Sequence, residues 1–300
     1  MQPCAELGSS AKPAGAETGR CGYGARGRAI HFSSRVNPIV ILALVRRDLL
    51  VATSYRLGPL VTFTYAILGL AIYFYISRIF GDPSSNVLGD APSYFAFAAT
   101  GVVVGVVLDV TSSSVGARLR EEQQTGTLET LGTTPVSSLE LTVGLIGFPF
   151  LLAALQTVVY LGIAVVWMEL DATRTSWFGV ATMLLVSGIA STPFGVLAGA
   201  SVLIFKRSGI ISATLLYGMT LLSGMLFPVS VLPDWISPLS RVIPITYAFE
   251  GTRSALFQGT SWLDDVLILS IWSALSLPLS VLLFDWAGGR ARRAGSMSEY

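Results

Sequence analysis

Apolar runs long enough to cross a bilayer recur along this chain, and the polar residues gather between them. A membrane-spanning helix takes about 20 mainly apolar residues. Six stretches meet that need: 57–77, 94–113, 141–168, 177–205, 209–227 and 266–284. The third is longer than the requirement, which predicts tilt or partial embedding. Ser137 with Glu140 fits a capping box opening the third run, and Ser261 with Asp264 makes a similar acidic cap at the sixth. Pro149, Pro193 and Pro278 fall inside runs, where neighbouring helices can satisfy the carbonyls they free.

Two further segments follow a different pattern. Asn37-Pro38 combines a helix cap with proline at the first helical position. The helix it opens, 38–56, mixes aliphatic residues with Arg46, Arg47, Asp48 and Arg56. Either it lies along the membrane surface, or it is the lower part of a long first span. Between the last two runs, Pro228, Pro233, Pro238 and Pro244 recur every five or six residues. Each removes a backbone donor and disfavours helix before it, so short broken helices are predicted, with Trp235 as an interfacial anchor. The following stretch, 245–258, is apolar yet carries Glu250 and Arg253, three positions apart and able to pair on a helix. It reads as a re-entrant element closing one side of the membrane or as an amphipathic surface helix.

Composition agrees with a lipid environment. Hydrophobic residues are 52% of the chain and charged residues 12%, about half the charge of a typical soluble domain. A formal net charge of +1 argues against nucleic acid, which needs a dense basic face. Lys and Arg set orientation. With the amino terminus cytoplasmic, 15 fall inside and 4 outside, or 10 against 4 when residues before Arg46 are left out. That predicts six spans with both termini in the cytoplasm. Residues 1–37, rich in Gly, Ala, Ser and Arg, read as a disordered tail, 38–290 as the membrane domain and 291–300 as a second tail. Cys4 and Cys21 lie in the first tail, as free thiols or as a disulfide.

Catalytic chemistry is hard to assemble from this chain. The one histidine, His31, is in the tail, and the lysines Lys12 and Lys206 are not in a Gly-Lys-Ser/Thr context, so no phosphate-binding loop can be drawn. Any ATP energy would therefore enter through another chain, with ATP and Mg bound there and no cofactor here. Charge inside the runs is also sparse. Asp109 sits four or five residues from the predicted end of the second run, within snorkelling reach of the interface. Span midplanes free of charge disfavour an ion-coupled carrier and favour a pathway for hydrophobic or amphipathic cargo.

The strongest polar island is 118–140. Its stretch 120–137, REEQQTGTLETLGTTPVS, and the stretch from Ser223 through Gly224, Phe227, Pro228, Pro233, Trp235, Pro244 and Tyr247 to Arg253 carry a resemblance. Together they resemble the permease of a type-2 ATP-binding-cassette exporter over roughly 38–290. The resemblance implies an all-α fold with an in-plane helix before the first span, pairing with a second permease copy or homologue, and a separate ATPase subunit. It implies a bacterial plasma membrane location. It also implies a coupling helix seated on the ATPase, supplied here by Arg118, Arg120, Glu121, Glu122, Gly126, Thr127, Leu128, Glu129, Thr134 and Pro135. The implied cargo path follows the second and fifth spans, at Phe95, Phe97, Tyr217, Met219, Met225 and Phe227. The broken segment, with Pro228, Pro233, Pro244, Glu250 and Arg253, would form an outer gate. The 37 leading residues exceed what the motifs need, and Asp109 is not part of them. A secondary carrier and a non-transporting membrane assembly factor are the competing readings.

Overall fold

The computed structural model describes residues 38–54, 57–80, 88–89, 91–124, 138–168, 170, 173–204, 209–259 and 262–293. Among these there are helices and turns but no strand. In chain order the helices are α1 (Pro38–Ser54), α2 (Leu57–Phe80), α3 (Tyr94–Gln124), α4 (Ser138–Trp167) and α5 (Trp177–Ile204), then α6 (Gly209–Leu222), α7 (Ser237–Val242), α8 (Pro244–Phe257) and α9 (Leu263–Arg293). Several starts fall where local chemistry places them. Pro38 and Pro244 open their helices, since a missing N–H costs nothing in a first turn. Pro149, Pro193 and Pro278 sit inside α4, α5 and α9. The tails 1–37 and 294–300 and the segment 125–137 lie outside the described residues.

Four helices among the described residues are long and apolar enough to cross a membrane: Tyr94–Glu121, Val143–Trp167, Trp177–Ser201 and Leu263–Arg290. In α2 the described apolar stretch is the shorter Ile67–Ile79. α6 stops at Leu222, after 14 residues, rather than at 227. The chain is thus a helical membrane protein.

α3 occupies the centre, packing against α2, α4, α5, α6 and α8, while α5 bridges α3 to α8 and α9. Burial follows that placement: 83% of the most apolar window of α3 is buried, against 17% for α9. On α9, Leu267, Ile271, Leu275, Leu279 and Leu282 are exposed at helical spacing, an apolar stripe suited to lipid. The broken segment folds as the prolines require. A 3-10 turn, Val229–Val231, follows Pro228, and α7 is only six residues long. Trp235 is exposed.

The second run departs most from its predicted form. Its helix continues through Gln124, eleven residues past Ser113. Asp109 is therefore the sixteenth of 31 residues in α3, not a residue near its end. Its level is fixed by the neighbouring hydrogen bond between the Thr111 and Ser191 hydroxyls, 2.5 Å between oxygens, because Ser191 is itself at mid-length of α5. The expectation of charge-free span interiors is thus corrected. Polar residues after Ser113 read as the end of a span, but Val115 and Leu119 carry the buried face onward against Val196, Ala200 and Phe284.

α1 docks on α4 through a close contact. Leu44 and Val45 fill the space above Gly144 and Gly147, where a Cβ would collide with them. One turn on, Asp48 is only 3% exposed and pairs with Arg47 at 3.2 Å and with Arg118 of α3 at 3.4 Å. This joins α1 to the polar end of α3. Losing one partner of a buried pair costs roughly 3–5 kcal/mol, but both arginines keep partial solvent contact, which screens the pair. Asp48→Ala is expected to lower stability by about 1–2 kcal/mol, read as a lower apparent Tm in detergent. An unchanged Tm would remove the pair from the account.

Candidate functional site

The site begins with how closely α3 and α5 approach. A Cβ on Gly195 would lie 2.5 Å from the Thr111 carbonyl oxygen and 3.1 Å from that of Ser112. Gly116 faces Ala198 and Gly199 in ordinary contact. Small residues allow such packing where lipid offers no hydrophobic drive. The Thr111–Ser191 hydrogen bond and a longer one from Ser112 Oγ to the Ser191 carbonyl (3.5 Å) add polar links.

Beside this seam, α6 stands off and leaves a cavity of about 840 Å³ between α3, α5 and α6. α3 supplies Gly105, Asp109, Ser112, Ser113, Gly116 and Arg120 to its wall, positions that recur at helical spacing and so form one face. Phe194 and Leu197 come from α5, and Tyr217, Met219 and Thr220 from α6. The cavity runs along α3 from Gly105, under the Met225 side chain, to Arg120. Fifteen residues at 1.5 Å each make that about 22 Å. The volume is in the range that holds drug-sized molecules.

At the far end, beside Met225, the chain breaks. α6 ends at Leu222, and Gly224 turns with φ +87°, a left-handed conformation that favours glycine. The chain then crosses α3, and the Met225 carbonyl lies where a Cβ of Gly101 would be. The break leaves carbonyls without helical donors, and Arg253 of α8 satisfies them. Its Nη2 donates to the carbonyls of Gly224 (2.8 Å), Met225 (3.2 Å) and Phe97 (3.3 Å). The guanidinium also stacks 3.5 Å from the Phe97 ring centroid. Arg253 is 5% exposed, so α8 is held inside the bundle and is not an ordinary surface helix. Eleven of its 14 residues are buried. Its carboxy-terminal carbonyls are met by Thr175 Oγ1, which donates to Leu256 O at 2.7 Å, and by Ser176 N, which donates to Ala255 O at 2.9 Å.

The predicted site residues fall into three places. Tyr217, Met219 and Met225 line the cavity. Phe95 is buried against Phe74 of α2, and Phe97 lies under Arg253, so neither faces the cavity; Phe227 is half-buried and outside its lining. In the broken segment Pro228 caps the 3-10 turn, Pro233 is exposed, Pro244 opens α8 and Glu250 is exposed on it. Of the proposed coupling residues, Arg118, Arg120 and Glu121 lie on the last turns of α3, with Arg118 Nη1 donating to Glu121 Oε2 at 3.2 Å. Glu122 continues that helix, while Gly126, Thr127, Leu128, Glu129, Thr134 and Pro135 lie outside the described residues. Sequence reasoning set Asp109 aside at an interface and gave Arg120 to a partner surface. Both line the cavity, and the i, i+4, i+11 spacing from Gly105 through Asp109 to Gly116 is the signal that groups them.

Comparison with known proteins yields consistent matches. The sequence model described as ABC-2 type transporter matches residues 40–257. The inner membrane transport permease YadH of Escherichia coli strain K12 is 24% identical over 219 residues, covering 70% of this chain and 79% of that protein. The protein of the same description from Shigella flexneri matches over the same share at the same identity.

Proposed function

The chain belongs to the ABC-2 type transporter family as a membrane permease, and from that premise we propose that it forms the pathway of an ATP-driven exporter. Two copies, or this chain and a homologue, pair in the cell membrane, and a separate ATPase subunit binds ATP and Mg. The permease itself carries no ATPase site. The spans number six, with α2 and α6 as the first and fifth and with both termini cytoplasmic in a bacterial cell, as the Lys and Arg distribution requires.

The cavity between α3, α5 and α6 carries this reading. It extends to Arg120, beside the polar end of α3 where Arg118, Glu121 and Asp48 meet. It ends at Met225, under the tie made by Arg253. A path that reaches from the coupling end of α3 to this tie is suited to alternate between inward- and outward-facing states. ATP-driven closure of the partner would push the segment after Gln124. Because that push enters at the end of α3, it would move the wall that α3 contributes. Amphipathic cargo fits a wall that is mostly apolar with a few polar groups.

Charge-assisted contacts from the carboxylates of Glu121, Glu122 and Glu129 would hold the ATPase. The combined change Glu121→Ala, Glu122→Ala and Glu129→Ala is expected to reduce ATPase recovery at least about tenfold in a mild-detergent affinity purification, with little change in apparent Tm. A triple variant that retains the ATPase as the wild type does would sink the coupling role and favour a non-transporting assembly factor.

A further inference from the structure

The cavity wall holds one acid at an unusual place. Asp109 is at mid-length of α3, exposed within the lining, and among the described residues no hydrogen bond or ion pair reaches its carboxylate. A carboxylate at membrane depth is expensive, and where one persists it faces a cavity or pairs with a cation. The base on the same wall, Arg120, is eleven residues further along α3, about 16 Å at helical rise. The two charges therefore act at separate levels, Arg120 near the end of α3 and Asp109 at its middle. The wall that Asp109 shares carries the hydroxyls of Ser112, Ser113, Thr214 and Thr220 but is otherwise mostly apolar, with Phe194 and Tyr217 among its rings.

We propose that this cavity binds an organic cation with an apolar body, its positive centre held by Asp109. The inference rests on the cavity being the cargo pathway, and it narrows the cargo to one chemical class. The carboxylate supplies the opposite charge, and the faces of Phe194 and Tyr217 supply cation–π attraction. The apolar remainder of the wall covers the body of the ligand. A bare metal ion does not fit. Calcium takes six to eight oxygen ligands, and no group of three or more His, Cys, Asp or Glu side chains assembles among the described residues. An anionic amphiphile is repelled at the deep level, where Asp109 has no counter-charge among the described residues.

The test uses the full chain with its ATPase in lipid nanodiscs, with empty nanodiscs as background. Binding of labelled tetraphenylphosphonium is compared with that of tetraphenylborate, an anion of nearly the same size and shape. The wild type is expected to prefer the cation. Asp109→Asn should weaken cation binding at least tenfold and leave the anion unchanged or improved, while Asp109→Glu keeps the preference. Ser113→Trp, which puts a large ring on an exposed position of the wall one turn away, should remove binding of the cation. Apparent Tm and size-exclusion profiles establish that each variant is folded, and Asp109→Ser, small and uncharged, carries the charge comparison should Asp109→Asn not fold. If Ser113→Trp removes binding but Asp109→Asn leaves the cation-to-anion ratio unchanged, the cation inference falls and the cavity stands. If the cation binds equally to wild type and Ser113→Trp, the cavity is not the pathway. Cation binding no greater than to empty nanodiscs also overturns the inference.

Discussion

Arg253→Ala is expected to cost about 3–5 kcal/mol of stability and to cut the yield of folded protein severalfold. The guanidinium Nη2 is shared among three carbonyls, at 2.8, 3.2 and 3.3 Å. Hydrogen bonds to a charged group contribute about 1.5–3 kcal/mol each, but one nitrogen with two hydrogens cannot give three at full strength. Stacking on Phe97 at 3.5 Å adds on the order of 2 kcal/mol when desolvated. Alanine would also leave the carbonyls freed by the Gly224 turn without their donor. Arg253→Met keeps much of the volume and removes the donors, so it separates packing from hydrogen bonding. Arg253→Lys should rescue less than half of the loss, because an ammonium neither stacks flat nor forks between carbonyls. A methionine variant as stable as wild type, by thermal unfolding in detergent, would show that the carbonyl contacts contribute nothing.

Gly195→Leu is expected to be the second large loss. With the Thr111 carbonyl 2.5 Å from the position of a Cβ, even alanine forces α3 and α5 apart and stretches the 2.5 Å Thr111–Ser191 contact. Overpacking of this kind typically costs about 1–3 kcal/mol, and leucine should exceed that range. The obstacle is backbone rather than a side-chain tip, so no rotamer change relieves it. Gly218 on α6 is the control, since a Cβ there meets nothing within 4 Å. Gly218→Ala should be neutral or stabilising by a few tenths of a kcal/mol through helix propensity. Equal Tm values for Gly195→Leu and wild type would refute the close seam.

Much of this architecture was legible because membranes impose simple rules. Proline at a first turn marks the starts of α1 and α8, and the four prolines after Phe227 lead to the short turn and short helix that the structure contains. Span ends were less legible. α3 continues past Ser113 because buried Val115 and Leu119 recur at helical spacing among polar neighbours, a signal that mean hydropathy averages away. Arg253 could be paired in sequence with nearby Glu250, but its carbonyl partners at Phe97 and Gly224 are 156 and 29 residues away. Those partnerships depend on the Gly224 break and on where α3 crosses it. Phe95 and Phe97 illustrate the same limit. Aromatic residues on a pathway helix look alike in sequence, and only the packing assigns these two to the core and Tyr217 to the cavity.

Asp109 changes how the competing readings are weighed. An ion-coupled carrier was disfavoured by span interiors free of charge, and that argument no longer holds with a carboxylate at mid-length of α3. Family membership now carries the distinction, together with the segment after α3 that a partner could push.

The most direct test is uptake of amphiphilic dyes (cationic, neutral and anionic) into inverted membrane vesicles containing the permease and its ATPase. ATP-dependent accumulation of at least one dye is expected, insensitive to collapse of the proton gradient. The Ser113→Trp variant should lose that accumulation while the complex still hydrolyses ATP. Accumulation that survives Ser113→Trp, or that vanishes with the proton gradient while ATP is held constant, would contradict an ATP-driven path through the α3–α5–α6 cavity.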